Sequence, residues 1–147
     1  MMKYLALTIG LLLSLNVSAK MSECDIAKEA FRDSYSLMND IFLFGMDSDD
    51  NPREYNYYHT WYKNYYPNKL EDLKDKYGSL ANKIDSNNPI YLGTTSIAQV
   101  NGIASAMDLY LKDNSNKSRL KEEYLLYGSM YQKLVKNCGE IFSYVDN

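Results

Sequence analysis

Residues 120–145 read LKEEYLLYGSMYQKLVKNCGEIFSYV, and their spacing decides the fold class. Leu120, Tyr124, Tyr127, Tyr131, Leu134, Cys138, Ile141 and Val145 recur at alternating steps of three and four residues. A helix turns once every 3.6 residues, so this rhythm lines those side chains along a single face. Tyr124, Tyr127 and Tyr131 stand at core spacing and read as core.

Three upstream stretches carry the same rhythm. From about Ser22 to Phe44 the seam is Cys24, Ala27, Phe31, Ser34, Met38 and Ile41, widened by Ala30, Tyr35 and Phe42. Gly45 and the run Asp47-Ser48-Asp49-Asp50-Asn51-Pro52 stop it. A second helix covers about Arg53 to Ile84 and is divided by Pro67, which lacks an amide donor and crowds the preceding turn. Its later half has Leu70, Leu73, Tyr77, Leu80 and Ile84 on one seam, with Asn68 and Glu71 placed as a capping box. The third helix is expected to start near Thr94 or Thr95 and to carry Ile97, Val100, Ala104, Met107 and Leu111. Polar loops at residues 85–89 and 112–116 flank it. Four amphipathic helices with loops of modest length predict an all-α, antiparallel four-helix bundle running up-down-up-down. In that topology the start of the first helix meets the end of the last, which pairs Cys24 with Cys138 in a disulfide.

The N-terminus has a leader pattern. Lys3 precedes an apolar run from Leu5 to Leu15, and Val17-Ser18-Ala19 places small side chains at the −3 and −1 positions. These features predict a signal peptide over residues 1–19, cleaved after Ala19, and a single helical domain over 20–147. The apolar run is shorter than a bilayer span of about 20 residues, and no later stretch reads as a membrane span. The pattern is of the bacterial kind, so the expected destination is the periplasm. An oxidising compartment favours a disulfide over free thiols.

Composition then removes functions. With 16 Lys+Arg against 19 Asp+Glu, the net charge of −3 leaves no basic footprint for nucleic acid. One His and two distant Cys exclude haem attachment, zinc-finger spacing and the paired Glu-x-x-His of di-iron bundles. No cofactor and no metal is expected. Asp47, Asp49 and Asn51 imitate the opening of a calcium loop, but its glycine position is Pro52 and its final carboxylate position is Tyr58. No nucleophile or phosphate-loop motif is present, and no catalytic residue is assigned. His59 has no partner motif.

The remaining signal is residues 55–66, YNYYHTWYKNYY, with six of the chain's 15 tyrosines and its one tryptophan. On an unbroken helix Tyr58, Tyr62 and Tyr65 share a face with Trp61 beside them, while Tyr57 and Tyr66 point away. One face cannot bury all these rings. Tyr and Trp dominate protein interfaces, and Asp47, Asp49, Asp50 and Glu54 stand next to them. The expected contact surface therefore comprises Asp47, Asp49, Asp50, Glu54, Tyr55, Tyr57, Tyr58, Trp61, Tyr62, Tyr65 and Tyr66. Compartment, size and missing chemistry together suggest an immunity-like or inhibitor-like protein that occludes a basic toxin or cell-wall hydrolase. The alternatives are a periplasmic chaperone or stress protein and a small helical enzyme of the chorismate-mutase type. Arg32, Arg53 and Arg119 show no convergence that would serve the last of these.

Overall fold

A computed structural model describes residues 22–81 and 85–142. Among them there are five α-helices and no strand. They are α1 Glu23–Gly45, α2 Tyr55–Asn64, α3 Tyr66–Ala81, α4 Pro89–Lys112 and α5 Lys117–Cys138, with one 3-10 turn at Asn114–Asn116 before α5. The expected leader over 1–19, Ile84 and Val145 lie outside the described residues. The molecule is a helical bundle, and Cys24 and Cys138 are joined with their Cα atoms 5.4 Å apart.

Several helix ends differ from expectation, each for a local reason. At α1, Ser22 and Asp25 form a reciprocal capping box, the Ser22 hydroxyl accepting from the Asp25 amide at 3.1 Å. The box expected at Asn68 and Glu71 does not form, because α3 already begins at Tyr66 and Asn68 lies within it. Helix α4 starts at Pro89, more than a turn before Thr94. Asn88 caps it by accepting from the Ile90 amide at 2.8 Å, and Pro89 occupies the first turn, where no amide is needed. Helix α5 ends at Cys138, since Gly139 comes next with φ +75°. Ile141 is buried, but from the chain beyond the helix, and its carbonyl accepts from Arg32 Nη1 at 2.9 Å.

Helix α4 is the centre of the bundle. Ile90, Leu92, Ile97, Val100, Ile103, Ala104, Ala106, Met107 and Tyr110 are all buried, so most of the helix surface is covered, with Ala98, Asn101 and Lys112 left exposed. Such a helix belongs in an interior, and α4 packs against each of the other helices. Its tightest neighbour is α1. A Cβ added at Gly93 would lie 2.5 Å from the Ala27 carbonyl oxygen and 2.8 Å from its Cα.

One turn further along, buried hydroxyls join three helices. Ser34 of α1 stands 2.7 Å from Ser96 Oγ of α4 and 2.8 Å from Tyr127 Oη of α5, and Ser96 donates to the Gly93 carbonyl at 2.6 Å. Ser34 likewise donates to the Phe31 carbonyl at 2.8 Å, so each serine has a main-chain acceptor on its own helix, and Tyr127 donates to Ser34. Other tyrosines bridge helices likewise. Tyr58 of α2 donates to the Ala104 carbonyl at 2.9 Å, Tyr66 of α3 to Asn101 Oδ1 at 3.2 Å, and Tyr77 of α3 to Asp33 Oδ2 at 2.6 Å. Lys76 beside Tyr77 reaches both Glu29 and Asp33 of α1, at 2.7 and 2.9 Å. Among the described residues no buried side-chain polar atom lacks a partner, as close-packed interiors require.

This packing has three measurable consequences. Gly93→Ala should destabilise by about 1–3 kcal/mol, because the methyl meets backbone that cannot yield; denaturant unfolding measures it. Reducing Cys24–Cys138, which closes a separation of 114 residues, should cost about 4–5 kcal/mol in the chain-entropy account; parallel oxidised and reduced melts test it. Burial raises the hydroxyl pKa of Tyr58, Tyr66 and Tyr127, and burial with the Asp33 hydrogen bond pushes Tyr77 up to about 12. A folded pKa raised above the ordinary 10 stabilises the fold below pH 10, and that contribution is lost as pH rises toward the folded value. Alkaline titration should therefore show a share of tyrosinate absorbance appearing only as helical circular dichroism is lost.

Candidate functional site

The aromatic stretch forms α2 and the start of α3, with a break between them. Pro67 offers no amide to the Lys63 carbonyl and its ring crowds that turn, so the helix is interrupted at Tyr65, where φ is −118°. The interruption resets the rotation of α3 relative to α2. Tyr65 turns outward and is 62% exposed, while Tyr66 turns inward and is buried. This corrects the expectation from an unbroken helix, in which Tyr65 shared a face with Tyr58 and Tyr66 pointed away. Tyr58, Trp61 and Tyr66 are core residues, Tyr55 and Tyr62 are half-buried, and Tyr57 and Tyr65 stand in solvent.

The exposed tyrosines flank a cleft of about 580 Å³ between α1 and α2. Its back wall is Phe44, stacked on Trp61 with ring centroids 4.6 Å apart and on Tyr57 at 5.9 Å. Trp61 is 5% exposed, so it supports the wall and offers little more than an edge. Lys69 and Asp40 pair across the rim at 2.7 Å. The Tyr57, Trp61 and Tyr65 side chains of the expected surface thus come together, whereas Tyr58 and Tyr66 face α4.

The acidic loop lies between α1 and α2. Asp47 Oδ1 accepts from the Asp49 and Asn51 amides, each at 2.9 Å, and these bonds hold its carboxyl below the usual range. That carboxylate is committed to the turn. Asp50 lies in the left-handed region at φ 60°. Asp49, Asp50 and Glu54 are exposed, and the Glu54 carbonyl accepts from the Tyr57 amide at 3.1 Å to begin α2. Arg53 brings a cation into this patch. Its Nε donates to the Met46 carbonyl at 2.6 Å and the Leu43 carbonyl at 3.2 Å, covering the C-terminal end of α1, and its guanidinium lies 5.4 Å from the Tyr57 ring centre. Among the described residues no group of three or more His, Cys, Asp or Glu side chains is placed to hold a metal ion.

Two features are not legible in the sequence. His59 has a partner after all: its Nδ1 lies 2.7 Å from Asp108 Oδ1 of α4 and 3.0 Å from the Tyr55 hydroxyl. Asp108 is 49 residues away, so only helix packing brings the two together. The second feature is a groove of about 750 Å³ between α1 and α5. Those two helices touch sparsely, because each leans on α4. Tyr35, Met38 and Phe42 form one wall and Leu120 and Tyr124 the other, with Tyr110 of α4 also lining it. Of the tyrosines that read as core in α5, only Tyr127 is buried; Tyr124 is 48% and Tyr131 38% exposed. A three-four rhythm marks the inward half of a helix, and neighbours decide how much of that half is covered. Comparison with known protein families, with curated proteins and with solved structures finds no match to this chain.

Proposed function

We propose that this chain is an exported, stoichiometric protein-binding module of the immunity or inhibitor type, which occludes the basic active site of a toxin or cell-wall hydrolase in the periplasm. The observation that carries the reading is the cleft flanked by Tyr57 and Tyr65 and backed by Phe44 and Trp61, beside the exposed carboxylates of Asp49, Asp50 and Glu54. Exposed aromatic rings on a rigid helix make strong contacts at low entropic cost. Adjacent acids steer and orient a basic partner. The leader pattern over 1–19 and the Cys24–Cys138 bond support export to an oxidising compartment. The non-enzymatic reading draws support from the arginines, since Arg32 and Arg53 are each anchored to main-chain carbonyls through one guanidinium nitrogen. In this proposal α2 and α3 count as one interrupted arm, giving an up-down-up-down bundle of four arms closed by the disulfide.

The test is affinity capture by the oxidised chain from the producing strain and its close relatives, read by mass spectrometry. Recovery of one exported hydrolase in stoichiometric amount is the expected result. Tyr57→Ala with Tyr65→Ala should weaken that complex by about 30-fold or more, as for a hot-spot pair, without unfolding the chain. Undiminished binding by the double variant would place the contact elsewhere. Capture of many unfolded clients would indicate a chaperone, and capture of nothing would overturn the proposal.

A further inference from the structure

The α1–α5 groove, of about 750 Å³, lies apart from the Tyr57–Tyr65 cleft. Tyr35, Met38 and Phe42 recur on one flank of α1, whereas Asp40 and Phe44, which line the other cleft, project from the opposite flank. The groove continues along α5 into a second hollow of about 290 Å³ that shares Tyr35, Met38 and Tyr124 as walls and reaches Gly128, Tyr131 and Phe142. From Lys117 to Tyr131 this path is about 21 Å long at the rise of a helix. Its walls are predominantly apolar, and the Phe42 and Tyr124 rings meet edge to face across it at 5.7 Å.

Its two ends differ in chemistry. The inner end is lined by aromatic rings, with Phe142 tilted against Tyr35 at 4.8 Å and stacked with Tyr131 at 6.3 Å. The outer end carries Lys117 and Lys121 of α5, with the Ser118 hydroxyl and the Asn39 amide beside them. Asp50 lines the same mouth, but among the described residues neither lysine lies within 4.0 Å of a carboxylate oxygen. Two cations and one anion thus line the mouth, in a chain that is acidic overall.

A long apolar path with two lysines at its mouth is complementary to a molecule with a hydrocarbon tail and one negative head. We propose that the α1–α5 groove binds a free single-chain anionic amphiphile of the fatty-acid class, its tail along Phe42, Tyr124 and Tyr131 and its carboxylate between Lys117 and Lys121. The volume and the mix of apolar wall with few polar groups are those of small-molecule sites. Asp50 belongs to both this mouth and the acidic edge of the proposed protein contact, whereas Lys117, Lys121 and the apolar walls belong to the groove alone, so the variants below test it separately.

Calorimetric titration of the oxidised full chain with sodium dodecanoate, kept below its micelle concentration, tests the assignment. Saturable one-to-one binding is expected. Lys117→Gln with Lys121→Gln should weaken it by about tenfold, the effect of two partly exposed charge contacts. Dodecyltrimethylammonium should bind more weakly than dodecanoate by at least a similar factor. Gly128→Phe supplies a steric check, because nothing lies within 4 Å of a Cβ at that position: the ring should obstruct the inner hollow and weaken dodecanoate while the melting transition is retained. Absence of binding, equal affinity for the cationic chain, or indifference to both sets of substitutions would overturn the proposal. So would binding confined to micelles or to anionic phospholipid vesicles.

Discussion

At Gly93 the backbone of α4 comes so close to Ala27 of α1 that no side chain fits between them. This near approach sets the distance between the two helices and places Ser34 and Ser96 within 2.7 Å of each other. Tyr127 can then reach Ser34 from α5. A serine hydroxyl is short, so the three-helix chain of hydrogen bonds exists only if α1, α4 and α5 keep one rotation and one height. Sliding α1 against α5 would leave the buried Tyr127 hydroxyl unpaired, at about 1–3 kcal/mol, whereas Ser34 and Ser96 would keep the Phe31 and Gly93 carbonyls of their own helices. The glycine contact and the hydroxyl chain therefore specify register as well as adding stability, and the disulfide holds the open ends of α1 and α5 together.

The abundance of tyrosine has a structural cause in this arrangement. Tyr58, Tyr66, Tyr77 and Tyr127 each bury a ring at a helix contact and send the hydroxyl across to an oxygen on the neighbouring helix. A phenylalanine would fill the space without joining the elements. Tyrosine combines an apolar body with a polar end, which suits a small bundle whose central helix has few polar side chains of its own. Tyrosines outside these bridges, such as Tyr57, Tyr65, Tyr124 and Tyr131, are left facing solvent and line the two clefts.

Helix α1 is the wall shared by both clefts. Its inner face packs on α4, and that contact leaves one flank toward α2 and α3 and the other toward α5. The acidic loop after α1 lies between the two openings, with Phe44 and Tyr57 on one side and Met46 and Asp50 lining the other. Arg53 fixes this loop by covering the last carbonyls of α1. The proposed protein contact and the proposed amphiphile site thus share a support and Asp50 at its end, while their aromatic walls are distinct.

Helical periodicity alone determined much here. The seams of α1 and α5 were legible because three-four spacing is a consequence of helix geometry, and two cysteines at opposite ends of the chain had one evident pairing. Helix α4 was only half legible: most of its surface is buried and its polar strip at Asn101, Ser105 and Asp108 lies in the later turns, so its first turns at Pro89 to Gly93 carried no rhythm. Tertiary structure alone decided the rest. The break at Tyr65 interchanged the facing of Tyr65 and Tyr66, since a small backbone change propagates as a rotation of every later residue in the helix. His59 found Asp108, and Ser34 found Ser96 and Tyr127, across separations on which local spacing has no bearing. Which half-apolar flanks stay open was settled by α4, because α1 and α5 both press on that helix and meet each other only sparsely, at the disulfide and at pairs such as Phe31 with Tyr127.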